Sequence, residues 1–344
     1  MPTKRPSKRQ KTSVAPASKV SEPQVPTEKA TTGKSKALEL PIEILTEILS
    51  YFRTMIIPHP NDNETFPPIY QSHTVERPRA LRALAQTCHL WRFMLYSLLW
   101  EHAVCISVYS EKIGNRLRCL SAFFRNHLTE ASLVRALTIK LPSTAYSHVT
   151  PLQEVVRLLK VLKNLHTLQI LPNDITITAL KNAFKKHTFP NIKTIILPPR
   201  AYCSIILQSC KNVRTVICEY MAPLLPVIEK NCKAVEAIGG WICSEWIIKV
   251  LPGLRSIMIP AYFHSADLIR SLRPLENLCY IELLTETIAD PANIHSCAGL
   301  DACIKEAKLL LRGRTGKKSL MVIRPTFPHS SVSPWAKSIS LNTD

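Results

Sequence analysis

Leu165-His166-Thr167-Leu168-Gln169-Ile170 and Ile192-Lys193-Thr194-Ile195-Ile196-Leu197 share one pattern: an aliphatic residue, two variable ones, a second aliphatic, a variable one and a third aliphatic. The same pattern begins at Val134, Val213, Val235, Leu254 and Leu278, and the seven starts lie 31, 27, 21, 22, 19 and 24 residues apart. On a strand the fourth and sixth positions share a face, and with the first they are read as the core-facing set. The third, fifth and seventh lie on the other sheet face, with the second at its rim. Helical spacing follows each instance. Leu152, Val155, Val156 and Leu159 share one face of a segment from Pro151 to Leu162, and Ser265 is read as the cap of a helix reaching Leu272. A unit of one strand and one helix cannot bury its own apolar face, so neighbours must stack into a solenoid. A last strand is expected from Ser319 to Ile323, after a helix from Gly299 to Arg312 that Gly313 ends.

These units resemble leucine-rich repeats in a degenerate form, and in such an array the first, fourth and sixth positions point inward. The asparagine that normally follows the strand is absent, and Pro142, Pro172 or Pro198-Pro199 stands in that neighbourhood. An ordinary α/β domain of alternating strands and helices is the rival architecture.

A second signal lies upstream, in Leu40-Pro41-Ile42-Glu43-Ile44-Leu45-Thr46-Glu47-Ile48-Leu49. On a helix started by Pro41, residues Leu40, Ile44, Ile48 and Phe52 form a stripe that Leu45 and Leu49 widen. Leu84, Cys88, Trp91 and Leu95 repeat the spacing, and Leu98, Leu99 and Trp100 close the unit. This three-part signature over residues 38 to 104 resembles an F-box, a three-helix motif that docks on a Skp-type adaptor and so joins a cullin-based ubiquitin ligase. By resemblance the adaptor-binding set is Leu40, Pro41, Ile44, Leu45, Ile48, Leu84, Cys88, Trp91, Leu98, Leu99 and Trp100. Some of these face the adaptor and some the motif's own core, and sequence does not separate the two. One departure is the 27-residue stretch from Arg53 to Arg79, which holds Pro58, Pro60, Pro67, Pro68 and Pro78 and reads as a surface loop.

The chain has 344 residues, 46% of them hydrophobic, enough for one large core or two modules. No uncharged apolar run is long enough to span a membrane and no secretory leader is visible, so a soluble intracellular protein of nucleus or cytoplasm is expected. The 11 cysteines are scattered with no C-x-x-C pair and read as buried thiols in a reducing compartment. The net charge is +19, of which residues 1 to 36 carry nine Lys/Arg against two Glu. That stretch lacks core residues and reads as a disordered tail. Its Lys4, Arg5, Lys8, Arg9 and Lys11 resemble a nuclear-import signal. The expected organisation is therefore a tail at 1–36, an F-box-like motif at 37–104, a solenoid at 105–323 and a C-terminal tail at 324–344.

Catalytic and cofactor signatures are missing from the sequence. Its eight glycines form no dinucleotide or phosphate loop, and Gly313 to Lys318 reads as a basic turn. No metal ligand set is found, since His295-Ser296-Cys297 offers two groups where a structural zinc needs four. No cofactor and no enzyme activity are expected. The F-box resemblance implies a substrate-recognition subunit whose repeats hold a client, and a strip bordered by cations suits an acidic or phosphorylated one. Lys193, Arg214 and Arg255 of the basic second-position column, with Ile196, Ile217, Trp241 and Met258 of an apolar strip, are the expected client contacts; the competing reading is that the C-terminal tail, through Trp335, covers the strip or that the column is only a solvated edge. The alternative is a basic nuclear nucleic-acid- or chromatin-associated binder, suggested by charge alone.

Overall fold

The computed structural model describes residues 43–44, 47, 73–106, 110–141, 149–171, 177–198, 203–241, 244–261, 265–285, 288, 290–324 and 335–341. All of them fall in one compact unit, Pro41–Asp344. The basic tail with Lys4, Arg5, Lys8, Arg9 and Lys11, and also Leu40, Pro41, Leu45 and Ile48, lie outside the described residues.

Two helices come first, α1 (His73–Thr87) and α2 (His89–Glu101). Strands and helices then alternate: β1 (His102–Ile106), α3 (Ser110–Asn126), α4 (Leu128–Leu133), β2 (Ala136–Lys140), α5 (Val149–Val161), β3 (Thr167–Leu171), α6 (Ile177–Phe184) and β4 (Thr194–Leu197). The alternation continues through α7 (Ser204–Ser209), β5 (Thr215–Tyr220), α8 (Leu225–Asn231), β6 (Ala237–Trp241), α9 (Ser244–Val250), β7 (Ser256–Pro260), α10 (Ser265–Ser271) and β8 (Tyr280–Leu284). A 3-10 turn (Pro291–Ser296), α11 (Ala298–Arg312), β9 (Ser319–Arg324) and β10 (Trp335–Ile339) complete the series.

The sheet runs β1 to β10 in chain order, parallel throughout except for the antiparallel β9–β10 pair. A doubly wound α/β domain reverses its strand order, whereas a solenoid adds each strand beside the last. The solenoid reading therefore holds. Register follows the motif: its fourth position runs from Leu137 through Leu168, Ile195, Val216, Ile238, Ile257 and Ile281 to Leu320. These side chains are all fully buried against the helices in one continuous core. Each such aliphatic contributes about 1.5–3 kcal/mol on leaving water. Truncating Leu168 or Ile195 to Ala should cost about 2–5 kcal/mol.

Several boundaries differ from the expected ones. The segment from Arg53 to Arg79 is not loop to its end, because α1 starts at His73 and takes in Pro78, a residue whose missing N–H argues for a boundary. The sheet begins at β1, one strand before Val134. The chain beyond Arg324 is not merely a tail, since Trp335 to Ile339 pair with β9. At the end of α11, Gly313 keeps right-handed dihedrals and the positive φ, 82°, falls at Gly316. The Ser265 hydroxyl donates to the Pro260 carbonyl at 2.7 Å, tying α10 back to β7.

Candidate functional site

Leu81, Ala85, Trp91, Leu95 and Leu98 form a small core of their own between α1 and α2, with Leu84, Cys88, Met94 and Leu99 half-buried against it. Of the residues assigned to adaptor binding by resemblance, Trp91 and Leu98 thus lie inside the helical pair. Leu84, Cys88 and Leu99 lie at its margin. Trp100 belongs elsewhere. Its ring stacks on Phe123 at 5.2 Å and meets Phe124 edge-on at 5.9 Å, against the solenoid core. The register explains this placement: Ala103 and Cys105 align with Leu137 and Ile139, so Trp100 stands where Val134 stands in the next unit. Trp100, Ala103 and Cys105 carry the motif spacing, hidden because the first position is aromatic.

Sequence reasoning also missed the outward residues of α2. Phe93 is 83% exposed and Leu90 37%, one helical turn apart on a face away from the small core. Ile44, in a helix, is 42% exposed. The Tyr96 hydroxyl donates to Glu130 at 2.6 Å, joining α2 to α4. This bond holds the Glu130 carboxyl below its ordinary pKa and raises that of the phenol.

The strand face opposite the helices is not the open apolar strip expected of it. Ile196, Ile217 and Met258 are buried, at 2%, 0% and 1% exposure, in a second cluster with Ala237, Leu284, Met321 and Ile323. Parallel strands are characteristically buried on both faces, and here the fifth position obeys that rule. Trp241 ends β6, paired with Tyr220 beyond a register shift. The buried fifth column is polar at Thr138, Gln169 and Glu282. The Thr138 hydroxyl donates to Gln169 Oε1 at 3.0 Å, so it accepts from His102 Nε2–H at 2.8 Å, which fixes that tautomer for the neutral ring. Glu282 lies between Met258 and Met321, its Oε2 buried without a hydrogen-bond partner, and burial pushes its carboxyl up to about 8.

The second positions do form a column. Arg135, His166, Lys193, Arg214, Glu236 and Arg255 stack at the rim through backbone bonds, each N–H donating to the carbonyl of the rim residue before it (Glu101 for Arg135) at 2.8–2.9 Å. Glu236 interrupts the positive run and pairs with Arg214 at 3.6 Å and Arg255 at 3.9 Å. Burial first, then Arg135 and Lys193, hold the His166 imidazole below its ordinary pKa. Beside this column runs a ladder of asparagines, each directly preceding a motif start. Asn164 Nδ2 donates to the Ser132 carbonyl at 2.8 Å, Asn191 to Lys163 at 2.6 Å and Asn212 to Pro190 at 3.2 Å.

Among the described residues no His, Cys, Asp or Glu cluster could hold a metal ion, and no helix is long and apolar enough to cross a membrane. His295 Nδ1 lies 2.7 Å from Asp301, which also takes Lys305 at 2.8 Å. Burial raises the thiols of Cys105, Cys232 and Cys303 to about 11 and that of Cys210 further. Such thiols are inert nucleophiles.

No protein family and no curated protein matches this chain. Among solved structures it is similar to the leucine-rich repeat-containing protein LegL7 from Legionella pneumophila, at 14% identity and a TM-score of 0.40, over 59% of this chain and 70% of that one.

Proposed function

We propose that the chain is a non-catalytic recognition subunit of a cullin-type ubiquitin ligase, acting in the nucleus or cytoplasm. In this reading the segment from Leu40 and the α1–α2 pair seat on a Skp-type adaptor, and the solenoid holds a client protein. The observation that carries it is Phe93, exposed with Leu90 on a helix whose other face already fills its own small core. A partner covering such a ring gains about 1.5–3 kcal/mol from it. The solenoid supplies a long, rigid frame at the other side of Trp100, so a bound client is held at high effective concentration near whatever enzyme the adaptor recruits.

The test is co-expression of the full chain with a Skp-type adaptor and recovery of the complex at micromolar concentration. Phe93→Asp and Ile44→Asp should each weaken the complex tenfold or more while the melting temperature stays within a few degrees. Absence of any complex with the unaltered chain would overturn the reading.

A further inference from the structure

The topology gathers charge that the linear sequence disperses. All connections from a helix end to the next strand lie at one edge of the solenoid: residues 134–135, 162–166, 185–193, 210–214, 232–236, 251–255, 272–279 and 313–318. Together they hold 13 Lys or Arg and 2 Asp or Glu. Lys160, Lys181, Lys230, Lys249, Arg270 and Arg312 add to them from last helical turns. Compensation of helix dipoles accounts for only part of this. Each helix end presents about half a negative charge, so the eight ends from α4 to α11 amount to roughly four. The turn residues alone exceed that by far.

The excess is uneven along the edge. Toward the C-terminus carboxylates neutralise it, Glu236 with Arg214 and Arg255, and Glu306 with Arg270 at 2.6 Å and Arg273 at 3.9 Å. Across the units of β2 to β5, Lys160, Lys163, Lys185, Lys186, Lys193 and Lys211 make no ion pair among the described residues. After burial, the nearby charges of Lys160 and Lys186 lower the His187 pKa, as those of Arg135 and Lys193 lower that of His166. Between the turns after α5 and α6 opens a cleft of about 190 Å³, lined by Lys160 and Lys163, by Thr188, Pro190 and Asn191, and by apolar residues that include Phe189.

We infer that this edge, from β2 to β5, seats an acidic, extended segment of a partner polypeptide that places one apolar side chain in the cleft lined by Lys160 and Lys163. The inference rests on the reading of the solenoid as the client-holding part and moves the docking place from the buried strand face to the edge. Three strand spacings of about 4.8 Å span roughly 14 Å, the reach of about four extended residues. The apolar cleft supplies an anchor and the lysines supply orientation and on-rate. A single-stranded nucleic acid fits less well, because among the described residues the exposed aromatics Phe93, Tyr96, Tyr220 and Trp246 lie away from these turns.

The experiment is fluorescence anisotropy with the full chain and three labelled probes: a polyglutamate peptide interrupted by one leucine, the same peptide with serine for leucine, and a short DNA duplex. The leucine peptide should bind most tightly and lose affinity with salt. Lys163→Glu with Lys186→Glu should weaken it at least tenfold, and Thr188→Trp, which plugs the cleft from an exposed position, should abolish the preference for leucine over serine. Tighter binding of the duplex, or peptide binding indifferent to the charge reversal, would overturn the inference. Recovery of the adaptor with the same variants keeps the two readings apart. Adaptor binding without peptide binding sinks this inference alone, and peptide binding without adaptor binding sinks the ligase reading alone.

Discussion

The terminal methyl of Met258 fills the place of a side chain at Gly239 on the neighbouring strand, where an added Cβ would lie 2.5 Å from Met258 Cε and 3.3 Å from its Cβ. Both residues occupy fifth positions and pair across β6 and β7. Gly239→Ala should therefore cost about 1–3 kcal/mol through overpacking of a buried face. In urea denaturation Met258→Ala should absorb part of that cost, giving a non-additive double-mutant cycle. Strict additivity would show that the two side chains do not compete.

Glu282 makes stability depend on pH. Its carboxyl titrates near 4.5 when unfolded and at about 8 when buried, so the folded state holds the proton more tightly. Its contribution is complete below 4.5, falls as pH rises to about 8, and is flat beyond. Glu282→Gln removes this dependence. The difference in melting temperature should move in favour of the Gln variant between pH 5 and pH 8, and a constant difference would mean that a cation reaches the carboxylate.

Trp100→Ala should cost about 3 kcal/mol, because the ring joins the helical pair to the solenoid core through Phe123 and Phe124. A thermal melt compared with Phe93→Asp separates structural from surface roles. Equal losses from the two variants would contradict the burial difference between them.

Asn191→Ala removes the hydrogen bond to the Lys163 carbonyl and should cost about 0.5–1.5 kcal/mol. A fall in the urea midpoint with an unchanged slope would locate the effect in that turn, whereas no change would mean that water replaces the amide.

Thiol labelling should divide the cysteines by burial. Cys119, exposed on α3, should react with a disulfide reagent at neutral pH in the native chain, and Cys105, Cys210, Cys232 and Cys303 only after unfolding. Fast native labelling of Cys210 would contradict its place in the core.

The period of the aliphatic positions was legible in the sequence because burial at the fourth and sixth residues is a local consequence of strand alternation, while the first, just before the strand, faces the same core from the turn. Val134, Leu168 and Leu283 behave as that rule requires. What was not legible depended on neighbours. Ile196 and Met258 looked like a binding strip because nothing local says that a second face is buried, and the basic column read in the sequence gained the other cations of the edge only when eight separate turns were brought side by side. Trp100 was ambiguous for a different reason: the F-box-like spacing and the repeat motif overlap on it, and only the alignment of Ala103 with Leu137 reveals its place in the repeat series.

The reversal of direction at β10 protects the molecule from itself. Because Ala336, Lys337 and Ser338 close the bonding row of Ile323, Val322 and Met321, the sheet does not end on a bare parallel strand. A chain cut after Arg324 would present the amides and carbonyls of Ser319 to Arg324 to solution, flanked by apolar Leu320, Val322 and Ile323, as a template for a second copy. Loss of the five residues of β10 should therefore lower solubility at high concentration.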